Sequence, residues 1–247
     1  MPLPLLMKKF ILSFLFLALL VSCTYAQDKK VAVVTFYVAK QIEVPGYAPG
    51  SIGTAMAKLA DDPKFDMGPL LKNFHDQFFE SYAASFPFRI LPEEEVTRNE
   101  AYKDFAPENA GFNDILNGNS YLAAKGYKVI LPLKGGANEK KLLALFDQCD
   151  GIMKVYLNFD MEAKSFGNLS LVKINAHANI VIFNKNGDKI FSLKKDAMSK
   201  KSGARVAGIP FMTPEKILPL CESAADELML ALQQDLPKMA KKADRKL

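Results

Sequence analysis

The side chains able to do chemistry are few and widely spaced. The chain has 247 residues, with two histidines and three cysteines. His75 lies in GPLLKNFHDQFFESYAASF, four residues after Leu71 and four before Phe79. That spacing sets it at the margin of an apolar helix face, where it reads as a half-buried structural histidine rather than a general base. His177 lies in LVKINAHANIVIF and falls on the polar side of an alternating strand, which predicts an exposed ring. Glu93, Glu94 and Glu95 could suggest paired carboxylates for acid–base work. At consecutive helix positions they point apart, so they read as first-turn anions that complement a helix dipole. Asp61-Asp62 before Pro63 is turn chemistry.

The segment PGYAPGSIGTAMAK (45–58) follows a strand and precedes a helix, where phosphate-binding loops sit in doubly wound folds. Its glycines match neither G-x-G-x-x-G nor G-x-x-x-x-G-K-[ST], so it is read as a surface loop. Ser51, between Gly50 and Ile52, is one glycine short of a nucleophile elbow. Cys149 and Cys221 fall among apolar neighbours at helical positions, which predicts buried free thiols over a disulfide. No metal-ligand spacing links them to the histidines. The sequence assigns no catalytic residue, no metal site and no cofactor.

The elements that must position these residues are legible as periodicity. KKVAVVTFYVAK (29–40) is a buried strand, and 41–66 is an irregular insertion punctuated by Pro45, Gly46, Pro49, Gly50 and Gly53. Leu70, Leu71, Phe74, Phe78, Phe79 and Tyr82 recur at helical spacing up to Pro87. FRILP is a second strand, PEEEVTRNEAYKDF opens a helix, SYLAAKG is a helix stop and YKVILPL (127–133) a third strand. Gly135-Gly136 turns into a helix with Asn138 as its cap. DGIMKVYLNFDMEAK, LVKINAHANIVIF and DKIFSLKKDA form a meander whose last turn is Asn186-Gly187. Ile174, Ala176, Ala178, Ile180 and Ile182 share its apolar face, while Lys173, Asn175, His177 and Asn179 share a wet one. A flexible basic link (200–207) leads to a last helix capped by Thr213, with Pro214 at its first position. Its stripe is Ile217, Cys221, Ala224, Leu228 and Leu232, and Pro237 ends it.

The expected fold class is α/β: a mixed sheet of about six strands covered by helices, with a C-terminal three-strand antiparallel meander and a closing helix. The expected organisation is a leader (1–26), one α/β domain (27–237) and a solvated basic tail (238–247). The leader has Lys8 and Lys9 before an apolar run from Phe10 to Val21, too short to span a bilayer and suited to an export signal. Leu20-Val21-Ser22-Cys23 has the order of a lipobox, which would acylate Cys23; Thr24-Tyr25-Ala26 offers an ordinary cleavage site instead. The net charge of +5 falls by two when Lys8 and Lys9 leave, too mild a balance for a nucleic-acid partner.

VAVVTF after the leader, CDGIMKVYLNF after a short helix, VKINAHANIVIFNKNGDKIF and the closing amphipathic helix together resemble the α/β domain of bacterial envelope lipoproteins. Members include the curli-secretion pore lipoprotein, the outer-membrane activators of penicillin-binding proteins and the N-terminal domain of the Tol-system periplasmic protein. Asp150-Gly151 before the long strand and the Asn186-Gly187 turn match that group, and the leader ending AQ resembles the Bacteroidota type. The resemblance covers roughly 29–236 and implies a non-enzymatic protein that scaffolds, tethers or forms pores.

The leading expectation is a non-catalytic exported envelope protein, periplasmic or at the outer membrane. It would bind envelope proteins or cell-wall components, with a lipid anchor if Cys23 is acylated. Its candidate surface is Tyr37, Tyr47, Ile52, Met56 and Phe65, or the wet sheet face. The alternatives are a periplasmic hydrolase of cell-wall or polysaccharide material, which needs titratable groups meeting in one cleft, and an oligomeric secretion-type assembly lipoprotein.

Overall fold

The computed structural model describes residues 29–44, 59–108, 120–132, 135–166, 169–206, 209–210, 213–241, 243 and 247. β1 (Lys30–Glu43) is buried without a break from Val31 to Ala39, as a run of β-branched and aromatic residues requires when both faces of a strand are covered. On one edge it pairs with β2 (Arg89–Ile90, parallel) and further along with β3 (Tyr121–Ala123, antiparallel). On the other it pairs in parallel with β4 (Gly151–Phe166), which begins the antiparallel meander β4–β5–β6, with β5 at Leu169–Asn184 and β6 at Lys189–Met198. Two short strands, β7 (Gly203–Val206) and β8 (Ile209–Pro210), extend the β5 side. The fold class is the mixed, helix-covered α/β sheet read from the sequence. Among the described residues it has eight strands rather than six, because the link read as flexible contributes β7 and the residues just beyond it contribute β8.

Residues 59–61 are helical, and five α-helices described over their whole length accompany the sheet: α1 (Gly68–Gln77), α2 (Glu93–Thr97), α3 (Glu100–Asp104), α4 (Ala137–Leu145) and α5 (Pro214–Ala240). α1 runs on into one π-turn (Phe78–Tyr82) and a 3₁₀ turn (Ala83–Ser85) before Pro87. The expected alternation in β5 holds: Ile174, Ala176, Ala178, Ile180 and Ile182 are fully buried. They lie on the sheet face against which α5 lays its predicted stripe, Ile217, Cys221, Ala224, Leu228 and Leu232. Gly187 takes the positive φ of 82° that the Asn-Gly turn demands.

Several local expectations are corrected. Residues 127–132 form no strand, and the strand on that edge is Tyr121–Ala123, where a helix stop was expected. The backbone of Lys128 and Ile130 meets side chains instead of a ladder. The Thr35 hydroxyl donates to Lys128 O (2.6 Å) and accepts from Ile130 N (3.3 Å), while Tyr102 Oη accepts from Lys128 N (3.0 Å) and donates to Val34 O (2.8 Å). Asn138 does not cap α4. Gly136, at φ 65°, holds the N-cap position, and Asn138 is buried with Oδ1 accepting from Glu108 N (2.9 Å). The helix expected over 92–105 is split by Asn99, whose side chain caps α3 by accepting from Tyr102 N (3.1 Å).

Pro237 does not end α5, which continues to Ala240. Pro237 and Gln233, the residue whose carbonyl loses its partner, both lie on the exposed side of the helix. Beyond it Ala240 and Ala243 are buried and Leu247 packs against the core, so this end is not simply a solvated tail.

Candidate functional site

α1 begins where Asp66 Oδ1 accepts from Gly68 N (2.8 Å) and Pro69 follows, and it buries Leu70, Leu71 and Phe74 as it packs on β1 and α5. His75 comes next on the helix. Its ring meets Phe36 of β1 edge-on at 5.0 Å and Phe79 at 4.8 Å. Packing therefore fixes the imidazole plane, leaving its side chain 17% exposed at one margin of a cleft of about 770 Å³. Leu71, Leu122, Ala123 and Ala124 give this cleft an apolar lining, and Lys72, Asp76, Glu93, Glu94, Arg98 and Lys125 add charge. Its volume falls within the roughly 300–1,000 Å³ of ordinary ligand pockets.

His75 Nε2 lies 2.9 Å from Oε1 of Glu93, the first residue of α2, and Nδ1 lies 3.5 Å from Asp76 Oδ1. A neutral imidazole can donate to only one of two carboxylates. Lys72, one helical turn before Asp76, bonds its carboxylate and holds it below the usual range. Arg98 pairs with Glu94 at 3.2 Å. Thr97, at the far end of α2, donates to Glu93 O at 3.0 Å and faces Gly126. Gly126 needs its hydrogen: it sits at φ +85°, and a Cβ there would lie 2.9 Å from Thr97 Cβ.

Tyr127 follows directly. It is buried to 7% exposure, its ring centroid lies 6.2 Å from that of His75, and its hydroxyl has no hydrogen-bond partner. Burial first, then the Glu93 charge, pushes the phenol well above its ordinary range, so it stays protonated.

The residues expected to form an interaction surface fare differently. Tyr37 and Phe65 are 2% and 1% exposed, so neither offers an exposed anchor. Phe65 belongs to the core, and Tyr37 stacks on Tyr156 (5.1 Å, 5°) with Tyr121 edge-on at 5.5 Å. Tyr47, Ile52, Met56 and the lipidation candidate Cys23 lie outside the described residues. His177 is not exposed as expected: its side chain is 14% exposed, Nε2 sits 2.5 Å from Asp160 Oδ2, and Nδ1 is buried without a partner. The two histidines lie on opposite sides of the sheet, since His75 packs on Phe36 while His177 shares the face of Tyr37, Tyr156 and Asn179. Cys149 and Cys221 are buried free thiols, and burial pushes the Cys149 thiol up to about 11.

Two features escaped sequence reasoning. Glu93, read as a capping anion, also reaches across to His75. Lys154, in the middle of β4, is 2% exposed and bonds Glu139 of α4 at 2.7 Å, with burial pulling its ammonium below the usual lysine range.

No protein-family model matches the chain, and no curated protein matches it. Among solved structures it is similar to a neuraminyllactose-binding hemagglutinin homolog from Helicobacter pylori, at 10% identity and TM-score 0.38, over 89% of each chain. It is also similar to a lipoprotein from Neisseria meningitidis, at 14% identity and TM-score 0.30, over 73% of this chain and 88% of that one. A hypothetical protein from Chlamydia trachomatis aligns at 8% identity and TM-score 0.32, over 84% and 97%. At TM-scores below 0.5 these likenesses carry no argument about a ligand or a partner. Among the described residues no helix is long and apolar enough to cross a membrane, and no group of three or more His, Cys, Asp or Glu side chains could hold a metal ion.

Proposed function

We propose that this chain is an exported, non-catalytic cell-envelope protein that binds another envelope component in the cleft between α1, α2 and β3. The export reading rests on the leader, with Cys23 as its acylation site if the lipobox is used. The binding reading rests on one observation: an open cleft of about 770 Å³ with an apolar lining, charged groups around it and a packing-fixed His75. Concave, mostly apolar seats with a few placed polar groups are how proteins hold small ligands. This moves the seat away from Tyr37 and Phe65, which are buried. Amide NMR of the mature chain, titrated with small molecules extracted from its own envelope, tests the assignment. Saturable shifts confined to residues around Leu71, His75, Leu122 and Gly126 are expected. Saturable shifts elsewhere, or none, overturn it.

A hydrolase acting on cell-wall or polysaccharide material is the second reading, favoured by the meeting of His75 and Glu93 in one cleft. A carboxylate that orients an imidazole is part of many general-base arrangements. Release of soluble fragments from such material by the wild-type chain, lost in His75→Gln, would establish it. Equal background release by both variants leaves the binding reading in place.

A further inference from the structure

The phase of the hydrogen bonds between β3 and β1 decides which backbone groups of β3 are in use. Lys40 N donates to Ser120 O (2.8 Å) and Ala124 N donates to Phe36 O (2.8 Å). With Val38 opposite Leu122, the residues Ser120, Leu122 and Ala124 turn their N–H and C=O groups toward β1. The same groups of Tyr121 and Ala123 therefore point away from it, and among the described residues β3 pairs with β1 alone. Ala123 lies opposite Tyr37, which puts its methyl group on the sheet face away from His75, so what it brings to the cleft lining is its main chain. Tyr121 and Ala123 are half-buried. An open edge pairs with any extended chain that reaches it, and sheets blunt such edges with charge. β6, which pairs with β5 alone, carries Lys189, Lys194 and Lys195. β3 reads Tyr-Leu-Ala and carries no charge. Leu71 and Leu122 line the cleft beside this edge and offer an apolar seat to one side chain of an added strand. The charged groups of the lining pair with one another, Lys72 with Asp76, Arg98 with Glu94 and His75 with Glu93. Lys125, exposed just beyond the strand, is the remaining one, and it complements an acidic group.

We propose, resting on the binding reading above, that β3 is a docking edge for an extended, acidic peptide segment of a partner protein. The segment adds a strand beside Tyr121–Ala123, sets an apolar side chain against Leu71 and Leu122 and brings a carboxylate to Lys125. The probe is acetyl-VEVEV-amide, titrated into the mature full chain by amide NMR and calorimetry, with acetyl-VKVKV-amide as its charge-reversed control. Saturable shifts along 121–126 and at Leu71 are expected, with the acidic peptide binding more tightly than the basic one. N-methylating the peptide's amides one at a time tests the pairing itself. Methyl groups on alternate amides should weaken binding by about 3- to 10-fold each, the range of one net hydrogen bond, and those on the amides between should leave it unchanged. Ala123→Pro removes an N–H that bonds nothing in β1, at an edge position where proline is tolerated, so it should keep the fold and abolish the shifts. Equal effects of methylation at every amide, or an unaltered affinity in Ala123→Pro, overturn strand addition. The basic peptide binding as tightly as the acidic one overturns the acidic partner. Dimerisation of the free chain that is lost in Ala123→Pro, read by sedimentation, makes the occupant a second copy and overturns the foreign one. Failure of both peptides while small molecules of the envelope still reach the cleft overturns this inference alone; failure of peptides and small molecules together overturns the binding reading with it.

Discussion

His75 Nε2 and Glu93 Oε1 lie 2.9 Å apart, tying α1 to the first turn of α2 at the cleft. Both helices contact β1, so the bond holds two separately folded segments at a fixed distance. A double-mutant cycle of His75→Gln and Glu93→Gln, followed by urea unfolding at neutral pH, should give a coupling of about 1 kcal/mol, as expected for a part-exposed, charge-assisted pair. Strict additivity would mean that the two helices are positioned by the apolar core alone.

The buried Lys154–Glu139 pair makes a sharper prediction. Lys154→Met leaves Glu139 desolvated without a countercharge and should destabilise the protein by about 3–5 kcal/mol. Adding Glu139→Leu should restore most of that loss, because an apolar pair of similar volume needs no compensation. Urea midpoints of the single and double variants decide it. A single variant as stable as wild type would show that water reaches Glu139.

Gly126→Ala should cost about 1–3 kcal/mol, since alanine must adopt the positive φ and its Cβ meets Thr97. The same methyl group narrows the cleft where Gly126 lines it, so affinity for any ligand there should fall together with the melting temperature. Unchanged stability would show that the loop relaxes freely.

Cys149 gives a pH dependence whose sign can be worked out. Its thiol is raised from about 9 to about 11 in the fold, mainly by burial, so above pH 9 the unfolded chain releases a proton that the folded chain keeps. The contribution is fully present below about pH 9 and is lost as the pH rises through about 11. Cys149→Ala removes it, so the stability gap between wild type and variant should narrow from pH 8 to pH 11 in denaturant titrations. A constant gap over that range would mean that the thiol ionises equally in both states.

Much of the fold was legible because its signals are local. The Asn186-Gly187 turn, the period-two alternation from Ile174 to Ile182 and the i, i+4, i+7 stripe of α5 each specify an element within a dozen residues. What was missed depends on contacts between distant segments. Residues 127–132 read as a strand by composition, but Thr35 and Tyr102 supply hydroxyls that take the place of a neighbouring strand. Nothing near Lys154 in the sequence explains a buried ammonium; Glu139, fifteen residues earlier on a helix, supplies its countercharge. The candidate site failed for the same reason: Glu93 and His75 serve their own helices in ways that local patterns explain, and nothing in one dimension brings the two helices to one cleft.

The parallel pairing of β1 with β4 also bears on how the chain reaches its folded state. Lys30 N donates to Asp150 Oδ2 across 120 residues of sequence. β1, the most thoroughly apolar strand, leaves the ribosome ahead of every segment that will cover it. Until β4 arrives, β1 lacks the neighbour that completes its long ladder and exposes an edge able to recruit other chains. A chain built in this order closes its sheet only after more than half of the polypeptide has been made.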